Sequence, residues 1–231
     1  MKCLILASGF GTRLYPLTQH KAKALLEYKG KPLISHIVHR IPRDIDILVN
    51  VNRKFEADFH RWQSAIDRRV ALCVEPVLTE EQALGAVGSL EYWVKAKNIT
   101  DDLLVIAGDN YFELDLRKFM AAYTGKDTLA AVYDIGDKSK AAQYGVVGLE
   151  GNRIVELIEK PKEPESNLVA IACYIFPPRI FPLLFQYCTG GTRDNLGNFI
   201  SYLIKVDRVQ AYTFSGIWFD IGSLDVYKSL Q

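Results

Sequence analysis

The stretch KCLILASGFGTRLYPLT, residues 2–18, decides how the chain is read. Its first part, KCLILA (2–7), carries an unbroken apolar run from Cys3 to Ala7 of strand length, as expected of a strand covered on both faces. The run stops at Ser8-Gly9-Phe10-Gly11 and passes into Thr12-Arg13. Gly9 and Gly11 let the backbone approach a ligand closely with amide N–H groups turned outward. Thr12 adds a hydroxyl, and Arg13 a planar fork suited to paired phosphate contacts. Two phosphate loops are excluded by spacing: a dinucleotide fingerprint needs a third glycine where Leu14 stands, and a P-loop needs Gly-Lys-Ser/Thr. A lone G-x-G remains open to an ordinary turn.

Outward from this loop, short apolar runs alternate with helical patterns. Strands are expected at 2–7, 46–51, 70–74, 102–108 and 128–135. Helices are expected from Pro32, Lys54, Ala83 and Leu116, where apolar spacing is nearer 3.6 than 2. This alternation predicts an α/β fold, a Rossmann-like, mainly parallel mixed sheet flanked by helices. In such sheets ligands lie beyond the carboxyl ends of the strands, where the glycine loop falls. The second half is less regular. YGVVGLEGNRIVELIEKP (144–161) reads as a hairpin turning at Glu-Gly-Asn, and NLVAIACYIF (167–176) as a buried strand. Helices follow from Pro178 and around 195–206, then strand QAYTF (210–214). No repeat or long linker divides residues 1–231, so one domain is expected.

With 28 basic and 27 acidic side chains, the chain has no general attraction for nucleic acid or anionic membranes. No apolar run reaches the ~18–20 residues of a membrane span. Cys3, Cys73, Cys173 and Cys188 are scattered and form no C-x-x-C pair, which predicts reduced thiols and a cytoplasmic location. His20, His36, His39 and His60 lack zinc-ligand spacing. Trp62 and Trp93 suit helix packing.

The longer string G-x-G-T-R-L-x-P-L-T, followed by Lys23 in KAKALLEYKGKPL, is specific. It resembles the signature of the sugar-1-phosphate nucleotidyltransferases, particularly the thymidylyl and uridylyl branch acting on glucose 1-phosphate. Further segments resemble the family in order: QALGAVGSL, LLVIAGDNYF, QYGVVGLE, LIEKPKEPESNLVAIACYIF and GIWFDIGSLDVY. Ser8 replaces the first glycine of the family loop and Ala22 the residue before the lysine; neither change removes a charge.

The resemblance implies a nucleotide-diphospho-sugar transferase-like fold with a smaller sugar-binding β subregion. It places Leu6, Ala7, Ser8, Gly9, Gly11 and Thr12 along the nucleotide, with Gly85 facing the base. The family's base-reading glutamine falls, by count, on Glu80, with Gln82 close by. Arg13, Lys23 and Lys160 take catalytic roles on phosphates. Asp109 and Asp220 take a magnesium ion, whose usual site is one or two carboxylates plus substrate phosphates. Asn110, Tyr144, Gly145, Glu159, Asn167, Ala172 and Trp218 fall to the sugar phosphate, with Ala172 where a glycine is usual and core packing the competing role for Trp218. The expected partners are an NTP (dTTP or UTP favoured) and a sugar 1-phosphate, in a monomer or small homo-oligomer, without nucleic acid or membrane. Little chain follows Asp220, so no appended β-helix domain is expected. Rival readings are a cytidylyltransferase for a phospho-alcohol, a metal-dependent glycosyltransferase and a non-catalytic nucleotide-sugar sensor.

Overall fold

The structure, a computed structural model, describes residues 1–190 and 192–229. In chain order it runs β1 (Lys2–Leu6), β2 (Glu27–Tyr28), β3 (Lys31–Pro32), α1 (Leu33–Arg40), β4 (Asp46–Asn52), α2 (Glu56–Ala65) and β5 (Ala71–Glu75). Then follow α3 (Gly85–Ala96), β6 (Leu103–Ala107), β7 (Asn110–Phe112), α4 (Leu116–Ala122), β8 (Thr128–Asp134) and α5 (Lys138–Ala141). The remainder is β9 (Gly145–Glu150), β10 (Arg153–Glu159), β11 (Leu168–Phe176), α6 (Phe181–Gly190), α7 (Leu196–Val206), β12 (Val209–Phe214), β13 (Trp218–Asp220) and α8 (Leu224–Ser229). Among the described residues no helix is long and apolar enough to cross a membrane.

The chain falls into two compact units. The first, the loop unit, comprises Lys2–Ala83, Ile106–Leu116 and Ile217–Gln231. Its strands run in the order β5-β4-β1, all parallel, with Lys2 opposite Asp46 and Leu48 opposite Ala71. Helices α1 and α2 make the crossovers that parallel pairing requires. Cys3, Leu4 and Ile5 are completely buried, as a strand covered on both faces should be. Pro32 sits one residue earlier than expected, as the N-cap of α1 rather than inside its first turn. Two small ribbons complete the unit. The β2–β3 hairpin turns through Lys29 and Gly30, both at positive φ, and β7 pairs antiparallel with β13. Leu14, Leu26, Tyr28, Leu33, Tyr111 and Ile221 form a core beneath them.

The second, the ring unit, comprises Leu84–Val105 and Arg117–Gly216 together with Met1. Here the strand order is β11-β8-β12-β10-β9, and β9 also pairs with β11, so the five strands close on themselves. Among the described pairings of these five strands, β8 and β12 run parallel and the others antiparallel. Parallel pairing therefore prevails in the loop unit alone. The expected 144–161 hairpin is present as β9 and β10, turning at Gly151 with φ 58°. Strand β11 bulges: Ala170 faces Val132 and Tyr174 faces Ala130, which sets Ile171, Ala172 and Cys173 against Ala131 alone. Ala172, at the middle of this bulge, has φ 52°. Helix α7 lies on β10, with the Ser201 hydroxyl donating to the Leu157 carbonyl at 2.6 Å. All four cysteines are free and buried.

Candidate active site

In the loop unit, the end of β1 is held by backbone on two sides. The Ala7 N–H donates to the Asn50 carbonyl at 2.9 Å, and the Leu6 carbonyl accepts from Gly108 at 2.8 Å. Gly108 has to be glycine, since a Cβ there would lie 2.9 Å from that carbonyl. The Ser8 carbonyl accepts from the Asn52 side-chain amide at 2.7 Å. Gly11 takes a left-handed conformation, φ 65°, which favours glycine. Its carbonyl accepts from the Thr18 hydroxyl at 2.6 Å, and Thr18 is fully buried. Thr12–Leu14 then form one 3-10 turn, not the start of an α-helix. Among the described residues, the backbone N–H groups of Gly9 to Arg13 meet no acceptor. A row of unpaired amides beside the exposed Arg13 is what an anion cradle consists of. The loop pattern was legible in the sequence; Thr18 and Asn52, which hold it in shape, were not singled out.

Lys23 opens a second 3-10 turn, and its Nζ donates to Asp109 Oδ2 at 2.7 Å, with both side chains partly buried. The other carboxylate oxygen of Asp109 accepts from the Asn110 amide at 3.2 Å. Asn110 in turn accepts from the Trp218 indole N–H at 2.7 Å, and both residues are buried. Asp220 stands opposite Asn110 across the β7–β13 ribbon, while the Ile221 N–H donates to the Asp109 carbonyl at 3.1 Å. The ribbon thus brings Asp109, directly before β7, and Asp220, the last residue of β13, to the same end. Asn110 and Trp218, assigned by resemblance to the sugar phosphate, here form a hydrogen-bonded line ending on Asp109.

The two base-reading candidates are engaged locally. Glu80 accepts from the Thr12 hydroxyl at 2.9 Å, which ties the glycine loop to the 79–82 turn. Gln82 closes a capping box with Thr79, its side-chain oxygen accepting from the N–H groups of Leu78 and Thr79.

The ring unit holds the other predicted residues. Gly85 (φ 74°) begins α3 against the backbone of Arg193, whose carbonyl oxygen would lie 2.5 Å from a Cβ there. The N–H groups of Ala86, Val87 and Gly88 donate to the Arg193 and Asp194 carbonyls. Gly145 faces Glu159 in one register and Ala170 in the other, so β9, β10 and β11 set these three side by side. Lys160 follows Glu159 at φ 49°, and its N–H donates to the Tyr144 carbonyl at 2.9 Å. Asn167 donates its side-chain amide to Asp134, and its carbonyl accepts from the Ile135 N–H at 3.0 Å. Burial, and then the negative charge of Glu159, push the Tyr174 phenol above its ordinary value.

A family model described as Nucleotidyl transferase matches residues 2–231. The chain belongs to this family. A Haloferax volcanii protein named UTP–glucose-1-phosphate uridylyltransferase AglF is 31% identical over 96% of the chain and 91% of that protein. A Sulfolobus acidocaldarius protein, provisionally named a mannose-1-phosphate guanyltransferase, is 32% identical over 96% of this nucleotidyl transferase and 60% of its own length. Other curated relatives are matched over about half their length. A crystal structure from Bacillus anthracis, provisionally named a glucose-1-phosphate thymidylyltransferase and determined with sucrose, superposes with a TM-score of 0.85 at 25% identity. That superposition covers 100% of this chain and 93% of the other.

The carboxylate pair suits a hard cation. Among the described residues no group of three or more His, Cys, Asp or Glu side chains converges. Asp109 directly precedes β7 and Asp220 ends β13, and carboxylates are oxygen donors of the kind magnesium takes together with phosphates.

Proposed function

We propose that this nucleotidyl transferase couples an NTP to a sugar 1-phosphate, a hexose derivative, with release of pyrophosphate. The observation that carries the reading is the row of unpaired amides from Gly9 to Arg13 beside a lysine held on an aspartate. In the reaction, a phosphate oxygen of the sugar 1-phosphate attacks the α-phosphorus of the NTP. A bond forms between that oxygen and the α-phosphorus, and the bond from the α-phosphorus to the β-bridging oxygen breaks. The attacking oxygen is already anionic, so no general base is needed; catalysis rests on position and charge. The glycine-loop amides and Arg13 bind the leaving pyrophosphate. Lys23 steadies the triphosphate, and Lys160 holds the sugar phosphate in line. Glu159 and Asn167 accept and donate hydrogen bonds to sugar hydroxyls. Asp109 and Asp220 would hold Mg²⁺, which would supply charge neutralisation for the phosphates. dTTP or UTP is the favoured donor, and the names of the relatives, which span guanylyl, uridylyl and thymidylyl transfer, make the base the first thing to measure. Four buried free thiols suit a reducing cytoplasm.

The test is a matrix of five NTPs against glucose, mannose and N-acetylglucosamine 1-phosphates, with magnesium, scored by pyrophosphate release. The expected result is release that requires both partners. Release from no pair, or only with a free acceptor sugar, overturns the reading.

A further inference from the structure

Within the ring unit, one carboxylate oxygen is seated on bare backbone. A Cβ built on Gly145 would come 2.8 Å from Glu159 Oε1, and a Cβ built on Gly197 would coincide with that oxygen. Gly145 belongs to a segment that resembles the family; Gly197 lies outside all of those segments. It lies in the first turn of α7, where Asn195 is the N-cap and its side chain accepts from the Gly197 N–H at 2.7 Å. Its φ is not positive, so the backbone conformation does not require glycine. Within a helix, alanine is the more favourable residue. What demands glycine here is the neighbour across the gap.

The surroundings make this seat rigid. Glu159 ends β10 in register with Gly145 of β9, so its backbone is fixed by the ladder. Helix α7 is fixed on β10 through Ser201 and Leu157. The segment before α7 is itself anchored, because the Arg193 and Asp194 carbonyls accept the first N–H groups of α3. The Glu159 charge, felt at the buried Tyr174, belongs to the same seat.

We propose that Gly197 is a specificity-determining positioning residue: its bare α-carbon, with that of Gly145, seats the Glu159 carboxylate where it reads sugar hydroxyls. This rests on the reading that Glu159 contacts the sugar. A methyl group at 197 expels the carboxylate from its seat, so the loss falls on sugar recognition and spares the triphosphate. The seat leaves no room for a side chain at two positions distant in sequence.

Pyrophosphate release is measured for wild type, Gly197→Ala, Glu159→Ala, the Gly197→Ala/Glu159→Ala pair and the Gly197→Ala/Glu159→Asp pair, with KM taken separately for sugar 1-phosphate and NTP. Gly197→Ala raises the sugar 1-phosphate KM on the order of 10-fold or more, as loss of a charged hydrogen bond does, and leaves the NTP KM unchanged. In the Glu159→Ala background the same change adds nothing to KM and does not lower the melting temperature. Glu159→Asp, one methylene shorter, recovers part of the loss. A normal sugar KM in Gly197→Ala, with Glu159→Ala impaired, overturns the role of Gly197 and leaves the sugar reading standing. A normal sugar KM in Glu159→Ala overturns the sugar reading of Glu159 itself. If Gly197→Ala fails to fold, the double variant with Glu159→Ala decides: its failing too would show that Gly197 serves the helix and not the carboxylate.

Discussion

The loop unit and the ring unit prepare for a ligand in opposite ways. The loop unit offers charge: Arg13, Lys23, Asp109 and Asp220 stand on turns and strand ends, and Lys23 donates to the Asp109 carboxylate. The ring unit offers shape. Its strands close into a ring, β11 bulges at Ala172, Lys160 and Ala172 adopt positive φ, and two glycines seat one carboxylate. Non-glycine residues held at positive φ are strained by about 1–3 kcal/mol each, and such strain gathers at functional positions. Under the proposed function, the charges would serve the phosphates and the shaped ring would discriminate among sugars.

The largest effect that separates the two falls on Asp109. Asp109→Asn is expected to reduce turnover to about a thousandth or less while the far-UV spectrum stays native. Folding is spared because the partly exposed Lys23–Asp109 pair contributes only about 1 kcal/mol. Near-normal turnover in that variant would remove the metal role. Next comes Lys23→Ala, expected to lower kcat by roughly 10²–10³ and to leave the relative preference among sugar 1-phosphates unchanged. A changed sugar preference would break the division between the units.

Smaller effects probe the supports. Trp218→Phe keeps the ring and removes the indole N–H that orients Asn110 towards Asp109. It is expected to weaken apparent magnesium affinity about 10-fold, in the range of a lost outer-shell partner, with the sugar KM unmoved. A raised sugar KM and normal magnesium dependence would return Trp218 to the sugar. The smallest effect belongs to Ala172→Gly. Relief of the left-handed alanine and the added freedom of the unfolded chain oppose each other, each by about 1 kcal/mol. The melting temperature should therefore move by no more than about 2–4 °C, while the ranking of sugar 1-phosphates changes.

This difference between the units also explains what could be read from the sequence. Arg13, Lys23, Asp109 and Asp220 were singled out because their motifs resemble the family's and follow in its order; taken alone each reads as a surface charge or a turn residue. The strands of the loop unit were legible because complete burial leaves continuous apolar runs, as in Cys3 to Ile5. The ring was not, because closure depends on which strand edges meet, and Gly145 meets both Glu159 and Ala170 through pairings of different sequence separation. Gly197 was illegible for the same reason: a glycine needed by a neighbour some forty residues away leaves no local signal. The short strands β7 and β13 also escaped notice, since three residues each carry too little periodicity to register.

That β7–β13 ribbon has a consequence for how the acidic pair is kept. Two short strands on their own are marginal in water. This ribbon instead borrows its rigidity from rings. Tyr111 of β7 stacks on Phe219 of β13 with centroids 5.1 Å apart, and Tyr28 meets both edge-on at 4.8 and 5.1 Å. The Trp218–Asn110 bond spans 108 positions of chain. Asp109 and Asp220 are therefore kept at one end of a ribbon that a small aromatic clasp holds together, so under the proposed function the acidic pair depends on rings that touch neither carboxylate.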